Sequence, residues 1–277
     1  MSATSEAHHE LLSFSDTGRG LPVIFLHPTP LDRAYWHPLV QNLAGIRAIV
    51  PDLRGHGLSP LGSGLPVGGF AAVPDAPVLT MAQLAADVLA LMDHLQMQQA
   101  VFAGCSIGGY VLLELWRRAP ERMRGLAFVC SKPQPDLPAN AGKRAATIAQ
   151  ARAGGSAALF DGMAQTLTGE TARALRPAIV AELRARMTIT PEALVAVQAG
   201  LATRPDSVPD VASIGVPVLA IAGGEDPGVT PAEMQAFNAA PGGCTFHLLP
   251  NAGHFAAYEQ PEHVAELFAE WLRRFRP

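Results

Sequence analysis

Apolar residues fall into two rhythms along this chain. Short, nearly unbroken runs of β-branched and aliphatic residues recur at 23–27 (VIFLH), 47–51 (RAIVP), 100–104 (AVFAG), 125–130 (GLAFVC), 216–223 (VPVLAIAG) and 244–250 (CTFHLLP). Runs of that kind predict strands covered on both faces, as in a mostly parallel sheet. Between them the apolar positions return every three or four residues. Over 80–97, Leu84, Val88, Leu91 and Leu95 share one helical face, and Thr80 stands where an N-cap belongs. Behind Pro261, the residues Val264, Leu267, Phe268, Trp271 and Phe275 form a second packing stripe. The alternation predicts an α/β fold, a mostly parallel sheet flanked by helices.

Two segments interrupt it. Residues 60–79 (PLGSGLPVGGFAAVPDAPVL) are rich in Gly and Pro, have no helical period and are long for a connection, so they are expected to border a site. Residues 132–210 open on KPQPDLP and then read as helices without a convincing strand. A helical insertion between two strands is expected to lie as a cap over the carboxyl ends of the sheet, where open α/β sheets bind ligands. The predicted organisation is therefore a core of 1–131 and 211–277 with a helical cap of 132–210.

Composition narrows the function classes. With 277 residues and 49% hydrophobic positions the chain can bury a large core. Lys and Arg number 20 against 24 Asp and Glu, a net charge of −4, and the basic residues are scattered. No stripe can track phosphates, so a small molecule rather than nucleic acid is the expected partner. Cys105, Cys130 and Cys244 have neither paired nor metal-type spacing and are expected to be free thiols, with no metal site and no cofactor. The opening MSATSEAHHELLSF lacks a charged start followed by an apolar run, and no segment reaches bilayer length. The expectation is a cytoplasmic protein without a membrane partner.

Candidate chemistry begins at GCSIG, residues 104–108. It follows one predicted strand and opens a helix, the context a nucleophile elbow requires: a sharp turn that lifts Ser106 above the sheet between glycines that allow close approach. A plain helix N-cap would want Glu or Gln three residues on, where the chain has Gly109. A serine hydroxyl needs a base, and the base needs an acid to orient it. GEDPGVTP presents Asp226, with Glu225 as rival, after one strand; PNAGHFAAYEQPE presents His254 after the next. The other histidines have no acid placed for them. His8 and His9 are terminal, His94 and His263 sit on helices, and His37, His56 and His247 read as structural or solvent-facing. Oxyanion donors are expected from the Ile107 N–H and from LHPTPLD, residues 26–32. Pro28 and Pro30 have no N–H, which leaves the backbone of Thr29, with its hydroxyl as an extra donor. A cis peptide is expected at Thr29–Pro30.

Taken together, LHPTPLD, VPDLRGHGLS, GCSIGG, VPVLAIAGGEDPGVTP and NAGHFAAYEQPE resemble, in order, the blocks of the α/β-hydrolase superfamily, and within it the small esterase and 3-oxoadipate enol-lactonase-like branch. The resemblance implies the α/β-hydrolase fold and a Ser106–His254–Asp226 triad acting on a small to medium-sized ester or lactone through an acyl-enzyme. The Ala- and Leu-rich cap predicts an apolar pocket that suits an uncharged ester. His27 and DLRGHG are structural in such proteins. Pro28 departs from the usual glycine there. The same triad serves cofactor-free perhydrolases and carbon–carbon bond hydrolases, and some proteins of this fold are ligand receptors with vestigial hydrolysis. For the substrate pocket, the cap residues Leu159, Met163, Leu167 and Met187, with Tyr35 and Trp36 beyond the oxyanion turn, are the candidates.

Overall fold

All six apolar runs form strands in the computed structural model, which describes residues 11–275. They are β2 (Leu21–Leu26), β3 (Ile46–Pro51), β4 (Ala100–Cys105), β5 (Met123–Val129), β6 (Val218–Gly223) and β7 (Cys244–Leu249). A further strand, β1 (Phe14–Gly18), pairs antiparallel with β3 at the sheet edge. Its sequence, FSDTG, is half-buried to exposed, so no apolar run announces it. The order is β1-β3-β2-β4-β5-β6-β7, with every other neighbouring pair parallel.

From β2 the chain moves outward to β3, then returns to place β4 on the other side of β2 and continues away from it. The direction of winding therefore reverses between β2 and β4, where Leu26 lies beside Gly104. Ligands of open α/β sheets bind outside the carboxyl ends at such a reversal. LHPTPLD and GCSIG leave the sheet there side by side.

Helix α1 (Met81–His94) starts in a capping box, with the Gln83 N–H donating to the Thr80 hydroxyl at 3.2 Å and the Thr80 N–H donating to the Gln83 side chain at 3.0 Å. Helix α2 (Ile107–Arg118) follows β4 without a linker beyond Ser106. Between β5 and β6 the described chain is helical, through α3 (Ala141–Arg152), α4 (Ser156–Leu167), α5 (Glu170–Leu175), α6 (Ile179–Ala185) and α7 (Pro191–Ala202). Helix α8 (Pro261–Leu272) buries Val264, Phe268 and Trp271 against the sheet, where Phe268 meets Phe25 at 6.2 Å between ring centres. Burying one such side chain stabilises the fold by about 1.5–3 kcal/mol, and this stripe is why the last helix is fixed rather than loose.

Residues 60–79 differ from expectation. They pack on α7, with the Leu79 N–H donating to the Ala196 carbonyl at 3.0 Å and Gly200 leaving room for the Leu79 carbonyl. None of residues 60–79 lines the cavity that Ser106 and His254 share. His8 and His9 lie outside the described residues. Among the described residues no helix is long and apolar enough to cross a membrane.

Helix α2 crosses β2 at a close backbone contact. A Cβ on Gly108 would lie 2.2 Å from the Leu26 carbonyl oxygen, and one on Gly104 would lie 2.5 Å from the Gly108 carbonyl carbon. Both obstacles are backbone. Gly108→Ala is expected to destabilise the protein by about 2–3 kcal/mol, whereas Gly162→Ala, in α4 with nothing within 4 Å of the new carbon, should be neutral or stabilising by up to about 1 kcal/mol. Urea denaturation of the two variants beside the parent chain checks the difference.

Candidate active site

Ser106 sits at φ 52°, ψ −117° and makes no side-chain cap to its helix. A non-glycine residue there is strained by about 1–3 kcal/mol unless its surroundings hold it. Here they do: the Ser106 N–H donates to the Val129 carbonyl at 3.2 Å, and the Ser131 hydroxyl donates to the Ser106 carbonyl at 2.9 Å. The N-cap alternative is thereby disfavoured, and the hydroxyl is turned to a cavity that His254 also lines. No hydrogen bond joins the Ser106 hydroxyl to the imidazole, a contact that in such sites often tightens only with substrate.

His254 is buried, and its Nδ1 lies 2.7 Å from Asp226 Oδ2. The other Asp226 oxygen accepts from the Gly228 and Val229 N–H groups at 2.8 and 3.1 Å, which fixes the carboxylate. Glu225, the rival acid, is turned away and accepts from the Thr171 N–H at 2.9 Å. The two adjacent acids thus have different partners, and only Asp226 meets the ring. Burial alone would lower the pKa of His254, but the Asp226 charge and hydrogen bond, with Glu259 behind them, raise it above the ordinary value of 6.5.

His27 and His56 are equally buried yet behave oppositely. Burial lowers His27 to about 4 and His56 to about 3, because their ring nitrogens face neutral partners. His27 Nε2 accepts from the Leu53 N–H at 2.9 Å and Nδ1 donates to the Pro28 carbonyl at 3.0 Å, which ties the turn after β2 to the segment after β3. His56 Nδ1 faces the Arg54 carbonyl at 3.1 Å and must carry the proton, so its Nε2, 3.0 Å from Thr29 Oγ1, must accept. The Thr29 hydroxyl therefore spends its proton on His56. This corrects the expectation of an extra oxyanion donor. What remains is the Thr29 N–H, which, like the Ile107 N–H at the start of α2, has no hydrogen-bond partner among the described residues. The Thr29–Pro30 peptide is cis.

The cavity, about 200 Å³, is walled on one side by Thr29, Pro30, Ser106, Gly228, Val229 and His254, and on the other by Arg144, Met163, Leu167, Leu194, Gln198 and Leu201, with Tyr110 between them. Of the pocket candidates, Met163 and Leu167 line it. Tyr35 and Trp36 do not: both are fully buried core, and the Tyr35 hydroxyl donates to Cys105 Sγ at 3.3 Å, which in turn reaches the His254 carbonyl at 3.6 Å. They support the histidine loop from below. Leu159 stands two turns before Leu167 and packs on the core beyond the cavity, and Met187 is buried among the helices after α6.

Four residues escaped the sequence reading. Arg144 and Gln198 belong to helices whose placement no local pattern discloses, whereas Tyr110, one turn after Ser106 in α2, had a signal in its spacing. Glu259 was likewise missed. Its buried carboxylate accepts from the Gly253, Gly169 and Phe255 N–H groups at 2.8, 3.2 and 3.2 Å, while the His254 N–H donates to the Leu167 carbonyl at 2.8 Å. Three successive amides around His254 are thus pinned, and the loop is tied to the end of α4. No cluster of metal-ligating side chains occurs among the described residues.

A match to the alpha/beta hydrolase family spans residues 23–267, and the chain belongs to that family. A thermophilic esterase from Thermogutta terrifontis, solved with malate bound, superposes with a TM-score of 0.87 at 33% identity, covering 96% of this chain and 94% of that one. A 3-oxoadipate enol-lactonase from Acinetobacter baylyi is 28% identical over 81% of this chain and 78% of its own length. A protein named as a non-heme bromoperoxidase, BpoC, from Mycobacterium tuberculosis is 26% identical over 91% and 94%. A pimeloyl-[acyl-carrier protein] methyl ester esterase from Shewanella matches at 31% over 48% of this chain and only 43% of its own length.

The contrast among the histidines is measurable. In an NMR titration His254 is expected to have its midpoint above 6.5, while His27 and His56 stay neutral down to pH 5. Glu259→Gln removes one of the charges that favour the imidazolium, so the His254 midpoint should move to lower pH. An unmoved midpoint in a folded variant would mean that Glu259 acts on the loop alone.

Proposed function

We propose that this hydrolase is a serine carboxylic-ester hydrolase of the esterase or lactonase type. The observation that carries the reading is the strained Ser106 sharing one cavity with a buried His254 whose ring is hydrogen-bonded to Asp226. Ser106 attacks the ester carbonyl, and His254 takes its proton and passes it to the leaving alcohol. Asp226 holds the Nδ1–H tautomer and favours the imidazolium that forms. The Thr29 and Ile107 N–H groups, helped by the positive end of α2, receive the oxyanion. Water then enters, gives its proton to His254 and releases the acid from Ser106. The sequence of steps needs no metal or organic cofactor. A cavity below the roughly 300 Å³ typical of the smallest drug-sized sites suits a small substrate. In this reading the helices over 132–210 form a cap that closes the pocket above the sheet.

A second reading rests on the bromoperoxidase-named relative. The same acyl-enzyme attacked by hydrogen peroxide instead of water would release a peracid, which oxidises bromide.

Intact-mass measurement after fluorophosphonate treatment tests the nucleophile without knowledge of the substrate. One adduct is expected on the parent chain, none on Ser106→Ala, and a greatly slowed one on His254→Ala. With a nitrophenyl ester, Asp226→Asn should lower kcat by about 10³–10⁴-fold. An adduct that persists in Ser106→Ala removes the proposal. Peroxide-dependent bromination faster than ester hydrolysis puts the second reading first.

A further inference from the structure

Away from the reacting groups, the polar side chains that line the cavity are all donors. Arg144 gives its Nε–H to Asp136 and one N–H of Nη1 to the Gln198 carbonyl oxygen at 2.8 Å. Of the five N–H groups of a guanidinium, three are left. Because the Gln198 oxygen is committed to Arg144, its amide nitrogen faces the other way, and it has no partner among the described residues although Gln198 is only 6% exposed. The Tyr110 hydroxyl likewise has no partner among the described residues, and burial raises its pKa, so it stays a phenol and a donor. No Asp or Glu lines the cavity.

The charge behind this wall is also one-sided. Asp136 is shared between Arg144 and Arg204, the latter at 3.3 Å, so the cluster holds two cations and one anion. Arg204 is occupied elsewhere: it donates to the Leu201 and Gln134 carbonyls and stacks over the Tyr110 ring at 4.4 Å. The cluster therefore carries one net positive charge, and of its two cations Arg144 is the one that lines the cavity. Arg144 and Gln198 also wall a second, outer cavity together with Asn140, Lys143 and Thr147, which continues the basic character towards solvent.

We propose that Arg144, Gln198 and Tyr110 form a carboxylate-binding subsite, so that the substrates preferred by the Ser106 centre are esters carrying a free carboxylate, such as half-esters of short dicarboxylic acids. The proposal rests on the ester-hydrolase reading above. A carboxylate presents up to four lone-pair sites and no donor, which complements a wall of N–H and O–H groups. Charge-assisted bonds from a guanidinium in a half-buried site are among the stronger polar contacts. Met163, Leu167 and Leu194 leave apolar space for the methylene chain that joins the two ends of such a molecule.

The test pairs catalysis with binding. The monoethyl esters of succinic, glutaric and adipic acids are compared with the corresponding diethyl esters, and glutarate binding is measured by calorimetry on the parent chain and on Ser106→Ala. At least one half-ester is expected to exceed its neutral diester in kcat/KM by about tenfold or more. Arg144→Gln should abolish that ratio, and Arg144→Lys should restore part of it. Glutarate should bind Ser106→Ala as well as the parent, and Arg144→Gln at least tenfold more weakly. If diesters are hydrolysed through Ser106 with no half-ester favoured and no glutarate bound, the subsite is overturned while the hydrolase reading stands. If glutarate binds through Arg144 but no ester is cleaved and no fluorophosphonate adduct forms, the hydrolase reading falls, and with it the substrate class. Glutarate binding unaffected by Arg144→Gln also overturns the subsite.

Discussion

Everything at this site depends on one close approach of backbone to backbone. Helix α2 can begin directly after β4 only because Gly108 lies against the Leu26 carbonyl and Gly104 against the helix's first turn. That contact forces Ser106 into its strained turn and holds it at the reversal point of the sheet, one strand away from Thr29. Strain of this kind persists where the surroundings over-determine it. The Val129 carbonyl, the Ser131 hydroxyl and the buried strands on either side supply that determination.

Three histidines near the cavity show how a fold sets ionisation by choice of partner rather than by depth. His27, His56 and His254 are all buried, and burial pushes each towards the neutral ring. For the first two, carbonyl, amide and hydroxyl partners do not offset that cost. They serve as neutral hydrogen-bonding struts under the turn at Pro28–Pro30, and His56 in doing so settles which way the Thr29 hydroxyl points. For His254, a carboxylate at 2.7 Å outweighs the burial. The same residue type is a neutral strut in one place and a carboxylate-paired ring with a raised pKa in the other.

The helical segment after β5 contributes more than a cover. Through Leu167 and Gly169 it is bonded to the histidine loop and to Glu259, and through Arg144 and Gln198 it brings polar groups to a cavity whose floor belongs to the sheet. Its position and the position of His254 are therefore mechanically linked, so packing in α4 bears on the geometry around the ring.

The sequence by itself determined the strands with continuous apolar runs, the capped α1, the final amphipathic helix and the turn at Ser106. Each of these is written in near neighbours: a run, a period, or glycines at fixed offsets from a serine. Asp226 and His254 were legible for the same reason, since each stands on a turn directly after a strand. Tertiary structure alone decided what depends on pairs distant in sequence. It sent Tyr35 and Trp36 into the core, where Tyr35 packs on Phe255 and Tyr258 of the histidine loop, and it joined the end of the 60–79 segment to α7 through Leu79. It also chose Asp226 over Glu225 by giving the latter to Thr171, and it carried Arg144 and Gln198, 54 residues apart, to one wall. Edge strand β1 belongs with these, because its half-exposed residues carry no pattern until β3 is there to pair with it. Helix packing is set by the summed shape of many buried side chains, and no local window of sequence contains that sum.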